Sequence, residues 1–328
     1  MSILRVSLIF LVSSFALQLV SSQICNKDDS ATLLKLKRAF NNPPNLDSWS
    51  ASTSCCWFWQ GVSCDDNGRV TWAAISASNI SGPIPPEIGD LPELRRLEID
   101  VNPNLTGPIP ASITKLQHLE RLILAENSIS GTIPEFLCNM TSLNYIDLRS
   151  NKLYGHIPSC FRGSVYYIDF SSNRLSGHIP ASLMNGYGGN DTFLNLANNR
   201  LTGRIPRSFD NVNFYNINLS GNRLGGDASV LLGEAKFSTQ IDVSSNRLSF
   251  DLSNVTYPEF LNELIISRNR IRGSINEQIT ELQGLGVLDM SYNRLCGPIP
   301  SGLWMRPYPS STFEHNKCLC GTPLPPCT

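Results

Sequence analysis

Residues 194–206 read LNLANNRLTGRIP. Leu194 and Leu196 stand two apart, as residues sharing one face of a strand do. Gly203 and Pro206 punctuate the turn that follows. Between them Asn199 puts a polar group into an otherwise apolar pattern. The string recurs: residues 146–158 read IDLRSNKLYGHIP, 168–180 read IDFSSNRLSGHIP and 288–300 read LDMSYNRLCGPIP. The asparagine column runs through Asn102, Asn127, Asn151, Asn173, Asn199, Asn222, Asn246, Asn269 and Asn293, with Ser78 in its place in a degenerate first copy. Ten copies follow one another at spacings of 22 to 26 residues. A period of this length marks a solenoid, in which each unit buries its apolar face against the next.

Each position has a physical task. The residues of L-x-L enter the core, and stacking pairs these strands into one long parallel sheet. The asparagine amide satisfies backbone groups of neighbouring repeats, which accounts for a polar residue in an apolar layer. The short apolar run after I-P carries a helical or 3-10 segment on the opposite side. The expected fold is an α/β solenoid: a right-handed leucine-rich-repeat superhelix with a concave parallel β-sheet, short or 3-10 helices on the convex side and a disulfide cap at each end.

The ends set the compartment. Residues 6–20 are apolar behind Arg5, and Val20 and Ser22 are small. This reads as a secretory signal peptide cut after Ser22 rather than a membrane anchor, because polar sequence follows at once. The organisation expected is a leader over 1–22, a Cys-rich cap over 23–68, ten repeats over 69–300 and a second Cys-rich cap over 301–328. Ten cysteines suit an oxidising compartment. A zinc site is the competing reading of clustered cysteines, but no C-x2-C pair with matching histidine spacing accompanies them. Sequons at Asn79, Asn104, Asn139, Asn190, Asn218 and Asn254 agree with secretion. A net charge of −1 and 16% charged residues give no bulk reason for a nucleic-acid partner. No other stretch is apolar enough to span a membrane. The mature chain is expected to be a monomer without cofactor or metal, secreted to the extracellular space.

The G-x-I-P signature resembles plant-type leucine-rich repeats. The front resembles their N-terminal cap, with residues 29–40 as a helix, then Asn42-Pro43, Ser48-Trp49, Cys55-Cys56, Trp57, Trp59, Gly61-Val62 and Cys64-Asp65. More specifically, the chain resembles the polygalacturonase-inhibiting proteins from end to end. The matching stretches are GDASVL at 226–231, FDL at 250–252 and NKCLCGTPLP at 316–325. The resemblance implies cap disulfides Cys25–Cys55, Cys56–Cys64, Cys296–Cys318 and Cys320–Cys327. Cys138 and Cys160 depart from the inhibitor pattern. They fall in adjacent repeats, about 4.8 Å apart at the strand spacing, which suits a bridge. A similar pair occurs in receptor-like repeat proteins, and two buried thiols are the other reading.

Residues flanking each L-x-L face the concave side, where solenoids bind partners. The candidates are Arg121, Asp147, Arg149, Tyr166, Tyr167, Asp169, Phe193, Asn195, Tyr215, Asn218, Thr239 and Asp242. Exposed aromatics beside charges resemble a protein interface, and Tyr145, Tyr166, Tyr167, Phe193 and Tyr215 cluster in the central repeats. L-D-L-S is also a common repeat form, so each Asp has a purely structural reading. The resemblance implies that these strand positions contact a fungal endopolygalacturonase and obstruct its cleft, with Asp147, Tyr166, Phe193, Asn218 and Thr239 carried over by position. Tyr166 and Phe193 stand where the family often has smaller residues, and Asn218 is itself a sequon.

The residue after each asparagine forms a second pattern: Lys152, then Arg174, Arg200, Arg223, Arg247, Arg270 and Arg294. Six arginines at the strand spacing make a ladder about 24 Å long. It reads either as a tolerant exposed position or as a stripe for a polyanion, which in a plant wall is de-esterified pectin (homogalacturonan). The resemblance supports the second reading. His156 and His178 share the G-H-I-P position and are expected to stack one strand spacing apart. No nucleophile elbow, H-E-x-x-H or paired-carboxylate signature accompanies the histidines, so the chain reads as a binding protein and not an enzyme. Two other classes remain: a secreted signalling partner of a peptide or receptor kinase, and an ice-binding protein on the same scaffold.

Overall fold

The structure, a computed structural model, describes residues 25–161, 165–184, 186, 189, 191–302 and 308–327. The expected leader and the sequon at Asn190 lie outside the described residues. The chain divides into two compact units. The first runs to Ser130 and includes Met140–Leu143; the second holds Gly131–Asn139 and Asn144–Thr328.

The first unit begins with a helix at Lys27–Ala39. It starts two residues earlier than the sequence suggests, because the Asn26 side chain accepts the Asp28 and Asp29 N–H groups at 2.9 and 3.2 Å. Asp28 and Asp29 in the first turn and Lys37 and Arg38 in the last complement the helix dipole. Asp29, 1% exposed, accepts Arg69 Nε and Nη2 at 3.0 and 2.8 Å and the Val70 N–H at 2.9 Å. That hydrogen bond holds the Arg69 proton more firmly than usual. It also pins the helix to the start of the first repeat strand. Trp49 and Trp59 stack at 5.7 Å, and the disulfides Cys25–Cys55 and Cys56–Cys64 cross-link this cap. Val62–Cys64 runs antiparallel to Val70–Ser76, which is followed in parallel by Arg96–Asp100 and Arg121–Ile123. The 3-10 helices Pro86–Asp90 and Ala111–Lys115 follow Pro85 and Pro110.

In the second unit, Tyr145–Asp147, Tyr167–Asp169, Thr192–Asn195, Phe214–Asn218, Gln240–Asp242, Glu263–Ile265 and Val287–Asp289 form a parallel sheet. Their middle residues, among them Ile146, Ile168, Leu194, Ile217, Ile241 and Leu264, are at most 1% exposed. Each such burial is worth roughly 1.5–3 kcal/mol. The 3-10 helices Arg207–Asn211, Ser229–Leu231 and Glu277–Glu281 follow on the other side.

The structure adds further strands to the expected sheet of L-x-L strands. The N-x-L-x-G stretch, read from its glycine as a turn, is itself a strand. Lys152–Gly155, Arg174–His178, Arg200–Arg204, Arg223–Gly226 and Arg247–Leu248 form a second parallel sheet. Arg272–Gly273, Arg294–Pro298 and Cys318–Cys320 form a third. Within it Cys296 and Cys318 are register partners and are disulfide-bonded, as are Cys320 and Cys327. Cys138, in the 3-10 helix Glu135–Asn139, is disulfide-bonded to Cys160 with Cα atoms 5.6 Å apart.

The asparagine column closes each turn. Asn199 Nδ2 lies 2.9 to 3.2 Å from the carbonyls of Phe170, Leu196 and Ala197, and its Oδ1 accepts the Leu175 N–H at 2.9 Å. One amide therefore ties its own turn to the repeat before it. The residue preceding the column is left-handed in every repeat, from Ala77, Val101 and Glu126 in the first unit to Ser172, Asn198, Arg268 and Tyr292 in the second. Only Gly221 among them is glycine. The others carry a cost of about 1–2 kcal/mol each, which the amide bonds on either side offset. Asn316 extends the column into the C-terminal cap: it donates to Met290 and Phe313 carbonyls and accepts the Leu295 N–H.

Candidate functional site

The sheet of the second unit turns two rows of side chains away from its core. The first row is Tyr145, Tyr167, Phe193, Asn216, Gln240, Glu263 and Val287, paired in register. Register brings the three aromatic rings face to face. Tyr145 and Tyr167 lie 3.8 Å apart with planes 8° from parallel, and Tyr167 and Phe193 lie 4.3 Å apart at 6°. Such pairs add about 0.5–1.5 kcal/mol each beyond their area. They also make a stiff platform in which Tyr167 has a ring on each side. Burial, the hydrogen bond with Tyr145 and the charges of Tyr145, Asp147 and Asp169 push the Tyr167 phenol far above the usual tyrosine range. Tyr166 precedes the strand and meets Tyr145 edge-on at 6.3 Å. Its register neighbours are therefore not Phe193; Tyr167 occupies that column.

Tyr215 stands out for a backbone reason. Thr192 pairs with Phe214 and Phe193 with Asn216, so Tyr215 is the extra residue of a β-bulge and is 51% exposed. Its carbonyl accepts both the N–H and the hydroxyl of Thr239, at 3.0 and 2.8 Å. Asn216 donates to the Gln240 side chain. Glu263 sits at the far side of this row, its carboxyl pushed above the usual range by burial and then by the charge of Asp242.

The second row is Asp147, Asp169, Asn195, Asn218, Asp242, Ile265 and Asp289. Its side chains close the strands. Each polar member accepts the backbone N–H two residues on: Arg149, Ser171, Ala197, Ser220, Ser244 and Ser291 respectively. This is the Asx-turn. Asp147 and Asp169 are 1% and 4% exposed. Arg149 is ion-paired to Asp147, and Asn195 donates to Asp169 at 3.1 Å. Of the twelve partner-binding candidates, the structure brings Tyr167, Phe193, Tyr166 and Tyr215 together as an outward surface, and sets Asp147 and Asp169 beneath it. Arg121 belongs to the first unit, exposed on its own strand with Arg96 as register partner.

Lys152, Arg174, Arg200, Arg223, Arg247, Arg270 and Arg294 are all exposed. The expected ladder is longer than strand spacing allows. Tyr154 pairs with Arg174, Ser176 with Arg200, Thr202 with Arg223 and Gly225 with Arg247, so each copy is offset by two residues. The step becomes about 8 Å rather than 4.8 Å. Lys317, after Asn316, adds an eighth exposed cation that the sequence reading missed. Only the hydrogen bonds of Asn316 reveal that the cap continues the column.

Asn79, Asn104, Asn139 and Asn254 are exposed and Asn218 is half-buried. The rings of His156 and His178 lie over Gly177 and Gly203 of the repeats that follow, so a Cβ on either glycine would run into the ring. Among the described residues one group could gather a metal, Cys25, Cys55 and Cys56, and disulfides occupy all three. No helix among them is long and apolar enough to cross a membrane.

The pattern described as "Leucine rich repeat N-terminal domain" matches residues 26–65. Leucine rich repeat patterns match 87–153, 164–185, 192–212 and 284–305. The chain is similar to "Polygalacturonase inhibitor 2" of Arabidopsis thaliana, 43% identical over 94% of this chain and 94% of that protein. It is also similar to "Polygalacturonase inhibitor" of Pyrus communis, 43% identical over 97% and 96% of the two. Among solved structures, that of a plant ice-binding protein superposes with a TM-score of 0.88 at 37% identity, covering 93% of this chain and 99% of that one.

Proposed function

This chain belongs to the polygalacturonase-inhibitor family of leucine-rich-repeat proteins, and on that premise we propose that it is a secreted wall protein that binds and inhibits fungal endopolygalacturonase. The inhibition is by docking and involves no chemistry of its own. The observation that carries the reading is the stacked row Tyr145–Tyr167–Phe193 beside the bulged Tyr215. Solvent-facing aromatics on a solenoid sheet fill no core, and rigid rings lose little entropy on binding. Inhibition of a panel of fungal endopolygalacturonases by the purified glycoprotein tests it. Tyr167→Ala should weaken inhibition at least tenfold, while Asp242→Asn, which keeps its turn, should leave it within about twofold. No inhibition of any enzyme in the panel by the native protein would remove the reading.

The exposed cation ladder supports a second contact of the same protein, with pectin in the wall. Guanidinium forks suit uronate carboxylates, and a repeated step suits a repeated polymer.

The plant ice-binding structure favours one other reading. Ice binding calls for a flat array of small polar groups, whereas the outward row of the second unit's sheet carries Tyr and Phe. Thermal hysteresis by the purified protein would establish that activity, and its absence would dismiss it.

A further inference from the structure

The first two repeats lack the Asx residue that stands four places before the asparagine column in most later ones. Ala74 takes that place before Ser78, and Glu98 takes it before Asn102. The two are register partners in neighbouring strands. Ala74 leaves space above its strand. The cap loop walls that space: Asn45 Nδ2 donates to the Ala77 carbonyl at 2.7 Å, and the Ser48 hydroxyl accepts the Gln60 N–H at 3.0 Å. Gly61, at φ +74°, lies so close that a Cβ on it would come within 2.3 Å of the Ala74 oxygen. Loop and strand enclose a cavity of about 730 Å³, wholly within the first unit.

The lining includes Asp47 and Glu98 and no Lys, Arg or His. Glu98 is held. Its side chain is 17% exposed, and its bonds from Trp72 Nε1 at 3.3 Å and Arg96 Nη2 at 2.9 Å both fall on Oε2. Oε1 takes no hydrogen bond among the described residues. Asp47 is 79% exposed and stands 3.9 Å from Lys37, whose Nζ donates to the Trp49 carbonyl at 3.0 Å. Such an exposed pair leaves the carboxylate open to a better donor. Asp100 pairs in register with Ser76 of the lining, and its buried Oδ1 has no partner. Three carboxylates thus stand against Arg96 and Lys37, and acceptors outnumber donors around the cavity.

We infer that this cavity receives the guanidinium group of an arginine from a partner polypeptide. Glu98 Oε1 and Asp47 take its N–H groups, and Leu46 and Trp72 cover its methylene stem. A guanidinium offers five donors and no acceptor, which matches the surplus of acceptors here. The cavity opens on the outward face of a solenoid strand, the surface on which such proteins meet other chains. The site does not rest on the inhibitory reading, since none of its residues belongs to the aromatic row.

NMR titration of the full chain, following the Trp72 indole N–H, tests it with acetyl-Gly-Arg-Gly-amide and its citrulline and lysine counterparts. The arginine peptide should move the signal to saturation. Citrulline has nearly the same shape without the charge and should bind at least tenfold more weakly; lysine lacks the fork and should bind at least threefold more weakly. Glu98→Gln and Asp47→Asn should each weaken the arginine peptide at least threefold. Glu98→Gln keeps an acceptor for Trp72 and Arg96, so its melting temperature should not change. Glu120→Gln, outside the cavity, should leave binding as it is. Lysine binding as tightly as arginine would overturn the guanidinium assignment. No saturable shift in the native chain, equal binding of citrulline, or binding that survives the double substitution of Glu98 and Asp47 would overturn the site.

Discussion

Asn199 shows how one side chain secures a repeat. Its amide meets three carbonyls and one N–H in two neighbouring repeats, in a place closed to water. Asn199→Ala strands those groups, at roughly 1–3 kcal/mol for each that finds no new partner. Loss of about 2–4 kcal/mol in denaturant unfolding is the expected outcome. Glu263 makes an opposite case. Burial and Asp242 raise its pKa, so the folded state holds its proton more tightly than the unfolded chain does. The stability linked to that proton is full below the unfolded carboxyl value and lost as pH rises through the folded one. Glu263→Gln should therefore raise the melting temperature at pH 7 relative to the native chain, and raise it less at pH 4. The asparagine was legible in the sequence because it recurs. The Glu263 shift was not, because it comes first from burial in the stacked sheet and then from Asp242 in the adjacent strand.

At the scale of elements, the cap helix and the first repeat strand are joined by Asp29 and Arg69, forty residues apart. Cutting one partner of a buried pair leaves the other charge uncompensated, typically 3–5 kcal/mol. Arg69 is partly exposed, so Arg69→Met should fall near the low end, about 3 kcal/mol, read by chemical denaturation. The second sheet was hidden for an instructive reason. A glycine in N-x-L-x-G reads as a turn, yet Gly177 and Gly203 are strand residues whose left-handed backbone lets a histidine of the previous repeat lie across them. The Asx row was half legible: the L-D-L-S pattern has a structural reading in the sequence, but only the hydrogen bonds to Ser171, Ser220 and Ser244 show that side chain and turn are one device.

At the scale of the whole molecule, the cation ladder is a property of no single repeat. Polygalacturonate retention should fall steeply between low and moderate salt, since the charges are exposed and screened. Arg223→Gln with Arg247→Gln should elute earlier on a polygalacturonate column, and retention indifferent to salt and to both substitutions would exclude the ladder as the contact. The sequence by itself determined the repeat frame, its asparagine column and the family, because each rests on a short pattern copied many times along the chain. The tertiary structure alone decided which outward residues are open. Asp147 and Asp169 lie beneath the face, Tyr215 is pushed out by a bulge, and the ladder is sheared by two residues per step. All of these depend on register between strands more than twenty residues apart, and register is set by packing across repeats, not by the pattern within one.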